Sequence, residues 1–355
     1  MHVRPPHAYS PQELGKREDA MRTTASALLL LAGVVAAGPA PAQSPSSFYE
    51  GKTINIVVGF SPGGGYDRYA RLLARHMGKH MPGKPSVVVQ NMPGAGSLVA
   101  VRHLDTTAPR DGTVMVAFNP GLIMESLTEP EKVKLNFSDL AWIGSISRDM
   151  RVCYAWHATG LKTWDDIVKR DEFIIGGTAP GSSSYNNSAT LKNVFGLKIR
   201  RVLGYPGSAE QRLAIERGEL EGDCGSWSSI NPEWRQSNKV NPFVRFSRGK
   251  TPDMPDMPYV GDLAKTPEQK IVIEFLTSVS EFGTPYVMSK QVPSDRLEVI
   301  RRAFDQTMED PEFLADAKKS QLPVDPIPAD ESAEIIEAIY KSPPELVAKA
   351  KEALK

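Results

Sequence analysis

From residue 53 the chain alternates short β-branched runs with longer segments whose apolar positions recur every three or four residues. Residues 53–60 (TINIVVGF) form a nearly continuous apolar run, the pattern of a strand covered on both faces. Ser61-Pro62-Gly63-Gly64-Gly65 breaks it, and Tyr69, Leu72, Leu73 and Met77 then fall on one helical face. The unit repeats in outline. Residues 86–91 predict a second strand, residues 92–97 a second glycine loop, and Leu98, Val101 and Leu104 a second helix. A third strand at 114–118 ends in Asn119-Pro120-Gly121. A further set follows, with strands at 152–156, 173–177 and 201–205. Thr163 and Asp166 form a capping box, the polar loop 178–185 opens a helix, and a helix at 209–217 leads into Gly222-Asp223-Cys224. Residues 241–262, rich in Pro, Met and Asp, predict an irregular surface crossover, and amphipathic helices are expected near 267–278, 294–308, 311–319 and 330–354. This order predicts an α/β fold with mainly parallel sheets. In such sheets ligands bind beyond the carboxyl ends of the strands, the edge where all three early loops fall.

The N-terminus bears on the compartment. Residues 25–37 (ASALLLLAGVVAA) are uncharged, Arg22 precedes them and Ala40-Pro41-Ala42 follows. Residues 1–42 therefore read as a secretory signal peptide cleaved after Ala42, too short in its apolar run to span a bilayer. Residues 1–20 are polar and mixed in charge, so Met21 is the better start of translation. The product is expected to be a soluble periplasmic monomer.

The chain has 355 residues, with 42 Lys and Arg balanced by 42 Asp and Glu. That balance argues against nucleic acid as a partner, which calls for a basic excess. Cys153 and Cys224 can pair in an oxidising compartment, although spacing alone does not decide it. His76 and His80 lie four apart on an expected helix, but no intervening Glu or third ligand is evident, so a solvated face is expected and no metal or cofactor.

The two glycine loops carry the chemistry. Each follows a strand and opens a helix, where bare backbone N–H groups converge on an anion and the helix dipole favours it. Neither loop ends in Gly-Lys-Ser/Thr, and Arg68 stands where a dinucleotide fingerprint needs its last glycine. No GxSxG or HExxH motif is present. Ser182 and Ser183 sit in a capping loop with no evident base, so an exported serine hydrolase is a remote alternative.

These loops resemble those of a known family. Pro62-Gly63-Gly64, Asp67 and Ala70-Arg71 are similar to the PGGxxDxxAR motif of Bug-type periplasmic receptors of tripartite tricarboxylate transporters. Residues 87–97 (VVVQNMPGAGS) resemble the family's VVVENRPGAGG, and Asp111-Gly112-Thr113 its PDGYT step. Residues 177–183, Tyr205-Pro206-Gly207 and Gly222-Asp223 resemble its later GxxGxGS, YKG and GxVD segments. The resemblance implies a two-domain Venus-flytrap of the type II periplasmic-binding class, with parallel-rich sheets flanked by helices. One domain would hold residues 49–150 plus 242–355 and the other 151–241.

The ligand implied is a carboxylate held by backbone amides and waters in the cleft. By position Phe60, Ser61, Gly63, Gly64, Tyr66 and Asp67 form one wall, with Ala95, Gly96 and Ser97 beside them. Thr178, Ala179, Ser182, Ser183, Tyr205 and Asp223 close from the other domain, and Asn119 adds an amide. Tyr66 and Phe118 leave room for an aromatic acid beside the usual di- or tricarboxylates. Tyr205-Pro206-Gly207 lacks the family's Lys, and the loops at 61–67 and 94–97 hold no cation, leaving Arg68 the nearest. The expected function is non-catalytic: capture of a carboxylate and its delivery to membrane permease subunits. The alternative is a periplasmic sensor that feeds a two-component system.

Overall fold

Strands β1 (Thr53–Val58), β2 (Ser86–Asn91) and β3 (Val114–Ala117) form where the β-branched runs predict them. The computed structural model describes residues 48–148, 150–250 and 253–355, so the signal peptide and Met21 lie outside the described residues. β1 pairs in parallel with β2 and β3. Three strands from later in the chain extend this sheet: β4 (Leu140–Ser145), β10 (Pro285–Ser289) and β11 (Ile327–Pro328), all antiparallel to their neighbours. The spatial order is β11-β4-β10-β3-β1-β2. Successive residues face opposite sides. Val57, Val116 and Val287 join one buried cluster, while Ile56, Val58, Met115 and Tyr286 join another. Both faces are thus covered, which is why the runs are apolar throughout.

The second sheet has the order β7-β6-β8-β5-β9. Its strands are β5 (Arg151–Trp156), β6 (Phe173–Gly176), β7 (Ile199–Val202), β8 (Gly222–Ser226) and β9 (Val240–Arg245). β6 runs parallel to β7 and β8, and β5 antiparallel to β8 and β9. The two sheets, each with its own helices and core, make a two-lobed α/β protein.

Two expectations change. The strand expected at 201–205 ends at Val202, because Gly204 N–H turns to Thr178 O at 2.8 Å and Tyr205 N–H to Gly177 O at 3.4 Å. The region expected to be irregular from 241 begins with β9. Pro242 disguises it, and proline is tolerated there because β9 is an edge strand. Cys153 and Cys224 stand directly opposite on β5 and β8 and form a disulfide, with Cα atoms 4.0 Å apart.

Helices α1 (Gly65–Met77), α2 (Leu98–Thr106) and α3 (Gly121–Thr128) follow the three early strands. In the second lobe α4 (Ser183–Asn193) follows β6 and α5 (Ser208–Glu216) follows β7. The loops that open these five helices face one another across the cleft. The helical segment at 330–354, which Ser342-Pro343-Pro344 punctuates, forms two helices, Ala329–Tyr340 and Pro344–Ala353. Among the described residues no helix is long and apolar enough to cross a membrane.

Candidate functional site

The first loop is braced from behind. Asp67 is buried in the first turn of α1. Its carboxylate accepts Gly63 N–H at 2.9 Å, Arg71 Nε at 3.0 Å and Asn91 Nδ2 at 2.9 Å. Burial alone raises its pKa, but these hydrogen bonds outweigh burial and hold it below the ordinary carboxylate range. Asp67 therefore fixes the loop's shape. The rings of Phe60 and Tyr66 stack at 4.9 Å and 15°, and both line the cleft.

The second loop is strained. Ala95, Gly96 and Ser97 have φ of 46°, 63° and 81°. Left-handed backbone is costly outside glycine and persists only where its surroundings fix it. Here Ser97 is fully buried and its Oγ accepts Asn119 N–H at 2.9 Å. Ser97 thus ties the second loop to the third and is turned away from the cleft.

The lobes meet along these loops. Ser61 N–H donates to Pro206 O at 3.3 Å, and Ser61 Oγ to Glu210 Oε2 at 2.8 Å. Arg212 Nη2 donates to Gly63 O at 3.2 Å, and Arg68 Nη1 to Ser228 O at 3.3 Å. On the other side Asn119 Oδ1 accepts Ser183 N–H at 3.1 Å and Ser183 Oγ at 2.7 Å. Ser182 caps α4, accepting Tyr185 N–H, and donates to Ala179 O at 2.7 Å. These bonds give both serines structural partners.

Between the lobes lies a narrow cavity of about 60 Å³. Of the residues picked out in the sequence, Phe60, Gly64, Tyr66, Asn119, Thr178 and Asp223 line it. Phe60 and Thr178 also line an adjoining pocket, with Ala95, Gly96, Ala179 and Tyr205. Ser61, Asp67, Ser97, Ser182 and Ser183 are buried outside both linings, and Gly63 is exposed beside the first loop. Thr178, which lines both pockets, has its Oγ1 buried with no hydrogen-bond partner.

The loops at 61–67 and 94–97 hold no Lys or Arg, as read from the sequence, but two arginines from the second lobe line the cavity beside them. Arg151 and Arg212 line the cavity with Tyr154, Ser208, Gln211 and Ser229. Arg151 is 4% exposed at the head of β5 and donates from Nη2 to Tyr66 OH at 3.1 Å. Arg212 lies one turn after Ser208 on α5. Asp223 lies between these groups, its Oδ1 accepting Cys224 N–H at 2.7 Å. With the Gln211 amide nitrogen turned toward it, Gln211 donates to Asp223 Oδ2 at 3.2 Å and accepts Gly177 N–H at 3.2 Å. Burial pushes the Asp223 carboxyl up to about 6, against the pull of Cys224 N–H and the two arginines. The Tyr154 hydroxyl is pushed up by burial and by Asp223. The missed arginines had one signal each: a charged residue opening an apolar strand, and a cation one turn past a loop-closing serine.

His76 and His80 bond to Asp316 and Asp310 through Nε2, both at 3.0 Å, and so join α1 to the helix at Pro311–Lys319. His76, Asp310 and Glu312 group their ligand atoms closely, but Lys79 already pairs with both carboxylates.

A cleft between two mixed-sheet lobes, walled by loops at strand ends, defines the periplasmic-binding-protein architecture. Within that class the solved neighbours are tricarboxylate-type solute-binding proteins. The periplasmic binding protein BugD superposes with a TM-score of 0.70 at 17% identity, over 86% of this chain and 98% of its own. MatC from Rhodopseudomonas palustris, solved with malate, gives 0.68 at 16% identity, over 86% and 99%. An R. palustris protein solved with adipate gives 0.67 at 18%, over 84% and 97%. A UPF0065 protein of the gbd 5′ region of Cupriavidus necator is 24% identical over 253 residues, 65% of this chain and 72% of its own length. A UPF0065 protein of Bordetella pertussis is 25% identical over 187 residues, 51% and 57%. No family model matches the chain. The likeness first read in two glycine loops extends over the whole fold.

Proposed function

We propose that the chain is a Bug-type receptor: an exported, non-enzymatic protein that captures an organic carboxylate between its lobes and presents it to a tripartite tricarboxylate-type permease. The observation that carries this reading is the interlobe cavity, with Arg151 and Arg212 on one wall and the first glycine loop on the other. A guanidinium out of bulk water favours a planar carboxylate, which it meets through two parallel N–H bonds. Thr178 Oγ1 and the amides of residues 95–96 serve a second polar end in the adjoining pocket. Asp223 accepts a hydrogen bond from the ligand or, when protonated, donates one. Malate and adipate, the acids bound by two proteins of this fold, are the first probes.

The test is a thermal-shift screen of mono-, di- and tricarboxylates and aromatic acids on the purified chain, followed by calorimetry. A ligand of the native state raises the melting point by mass action. At least one carboxylate should do so, and Arg151→Gln should weaken its binding at least tenfold. A rise with neutral sugars or cations, and none with any acid, overturns the proposal.

A further inference from the structure

Arg212 has two faces, one to the cavity and one to the opposite lobe. Its Nη1 donates to Ser229 O at 3.1 Å and Ser208 Oγ at 3.4 Å, within its own lobe. Its Nη2 reaches Gly63 O at 3.2 Å, across the cleft. The same guanidinium lines the cavity beside Arg151 and Asp223. Those bonds occupy three of the five N–H donors a guanidinium carries, and the rest remain for an anion in the cavity.

The surroundings form a small docking patch. Residues 206–212 make three hydrogen bonds to residues 61–63, through Pro206 O, Glu210 Oε2 and Arg212 Nη2. The fit is close enough that a Cβ on Gly207 would stand 2.3 Å from Ser61 Oγ. Yet closure has an electrostatic cost. Arg68 of the first lobe is brought near Arg212 and Arg235 of the second, and burial together with these two like charges lowers its pKa. Asp253 pairs with Arg235 and Asp223 lies near Arg212, and an anion in the cavity would add to that compensation.

We infer that Arg212 is the positioning residue that makes lobe closure depend on a bound anion, because one guanidinium serves both the cavity and the cross-lobe bond to Gly63. The inference rests on the carboxylate reading above. A ligand can shift closure only by its differential affinity for the two states. In this site much of that difference passes through one side chain.

The experiment uses the purified chain with malate and adipate as probes, extended to any acid the screen returns. Small-angle scattering reports closure, and stopped-flow mixing separates association from dissociation. In the wild type the acid should shrink the radius of gyration. In Arg212→Gln it should no longer do so, and dissociation should quicken roughly tenfold. Arg212→Lys keeps the charge and loses the fork. Its association rate and salt dependence should match the wild type, with dissociation still about tenfold faster. Circular dichroism and melting curves in the absence of ligand should stay close to wild type for both. If Arg212→Gln closes on the acid as the wild type does, or if Arg212→Lys dissociates at the wild-type rate, the inference is overturned and the carboxylate reading stands. If the wild type binds no acid, both fall together.

Discussion

Gly121 offers a substitution that separates closure from folding. It is the first residue of α3, outside the left-handed region, so its backbone accepts alanine. In a helix alanine is favoured over glycine by about 1 kcal/mol. Within the first lobe the nearest atom to a Cβ at this position is Asn119 Oδ1, at 2.9 Å, on a buried side chain that also accepts Gly121 N–H at 2.8 Å. Across the cleft it meets Gly181 O at 2.7 Å and Ser183 N at 2.8 Å, both backbone. An unstrained C···O contact is about 3.4 Å, so the loop before α4 must retreat by roughly 0.7 Å. Ser183 N–H now donates to Asn119 Oδ1 at 3.1 Å, and the retreat carries it beyond hydrogen-bond range. The Ser183 Oγ bond to the same oxygen is weakened with it.

Loss of one or both bonds lowers the stability of the closed form by about 1–2 kcal/mol. If the closed form is the one that holds ligand, affinity falls by roughly 5- to 30-fold. Calorimetry on Gly121→Ala with the acid found by the screen measures this directly. The ligand-free melting point should be unchanged or slightly raised. Wild-type affinity and dissociation rate in a folded Gly121→Ala chain would refute the reasoning, since the ligand-bound state could not then contain this backbone contact.

Two further predictions concern stability. The raised carboxyl of Asp223 binds its proton more tightly in the folded state than at the ordinary 3.8, so the native state gains from it at low pH and loses as pH rises from about 4 through about 6. The difference is on the order of 3 kcal/mol; denaturant titrations of Asp223→Asn should lose this falling limb, and a limb equal to wild type would exclude Asp223 as its source. Carboxylate affinity should weaken as pH rises through about 6 and above, where the folded chain's Asp223 ionises and repels the ligand. The Cys153–Cys224 disulfide closes a sequence separation of 71, for which chain entropy alone implies about 4 kcal/mol. The doubly substituted Cys153→Ala, Cys224→Ala chain should fold but melt roughly 10 °C lower, and an unchanged melting point in calorimetry would show that the bridge adds nothing to the native state.

The legible parts of the site are local ones. The first wall, from Phe60 to Arg71, is a break and the start of a helix directly after β1, and local preferences suffice to place it. The disulfide partners were visible as residues, but their opposition depends on the register of β5 against β8, which no spacing encodes. Strand β7 ended early because two amides were drawn to the loop after β6, a tertiary competition that outweighed an apolar run. Arg151 and Arg212 were hidden for the same reason. A charged residue in the primary structure is a cleft residue only once two separate strand–helix units have been folded against the first lobe.

On the carboxylate reading proposed above, that division of labour would let a chain with equal numbers of acidic and basic residues select an anion. The first lobe brings neutral dipoles: bare amides, a helix start and loops braced by Asp67 and Ser97. The second brings the charges, Arg151 and Arg212, with Asp223 between them. In an open cleft these guanidinium groups face bulk water, where a contact with a carboxylate at 4 Å is worth about 1 kcal/mol. Near a closed protein surface the same contact reaches about 4 kcal/mol, part of it spent on desolvation. Net charge is therefore a poor guide to such a site. On that same reading, selectivity for an anion would arise when the lobes come together, and the residues at their approach, Gly121, Gly207 and Arg212, would bear on ligand choice as directly as those that touch the ligand.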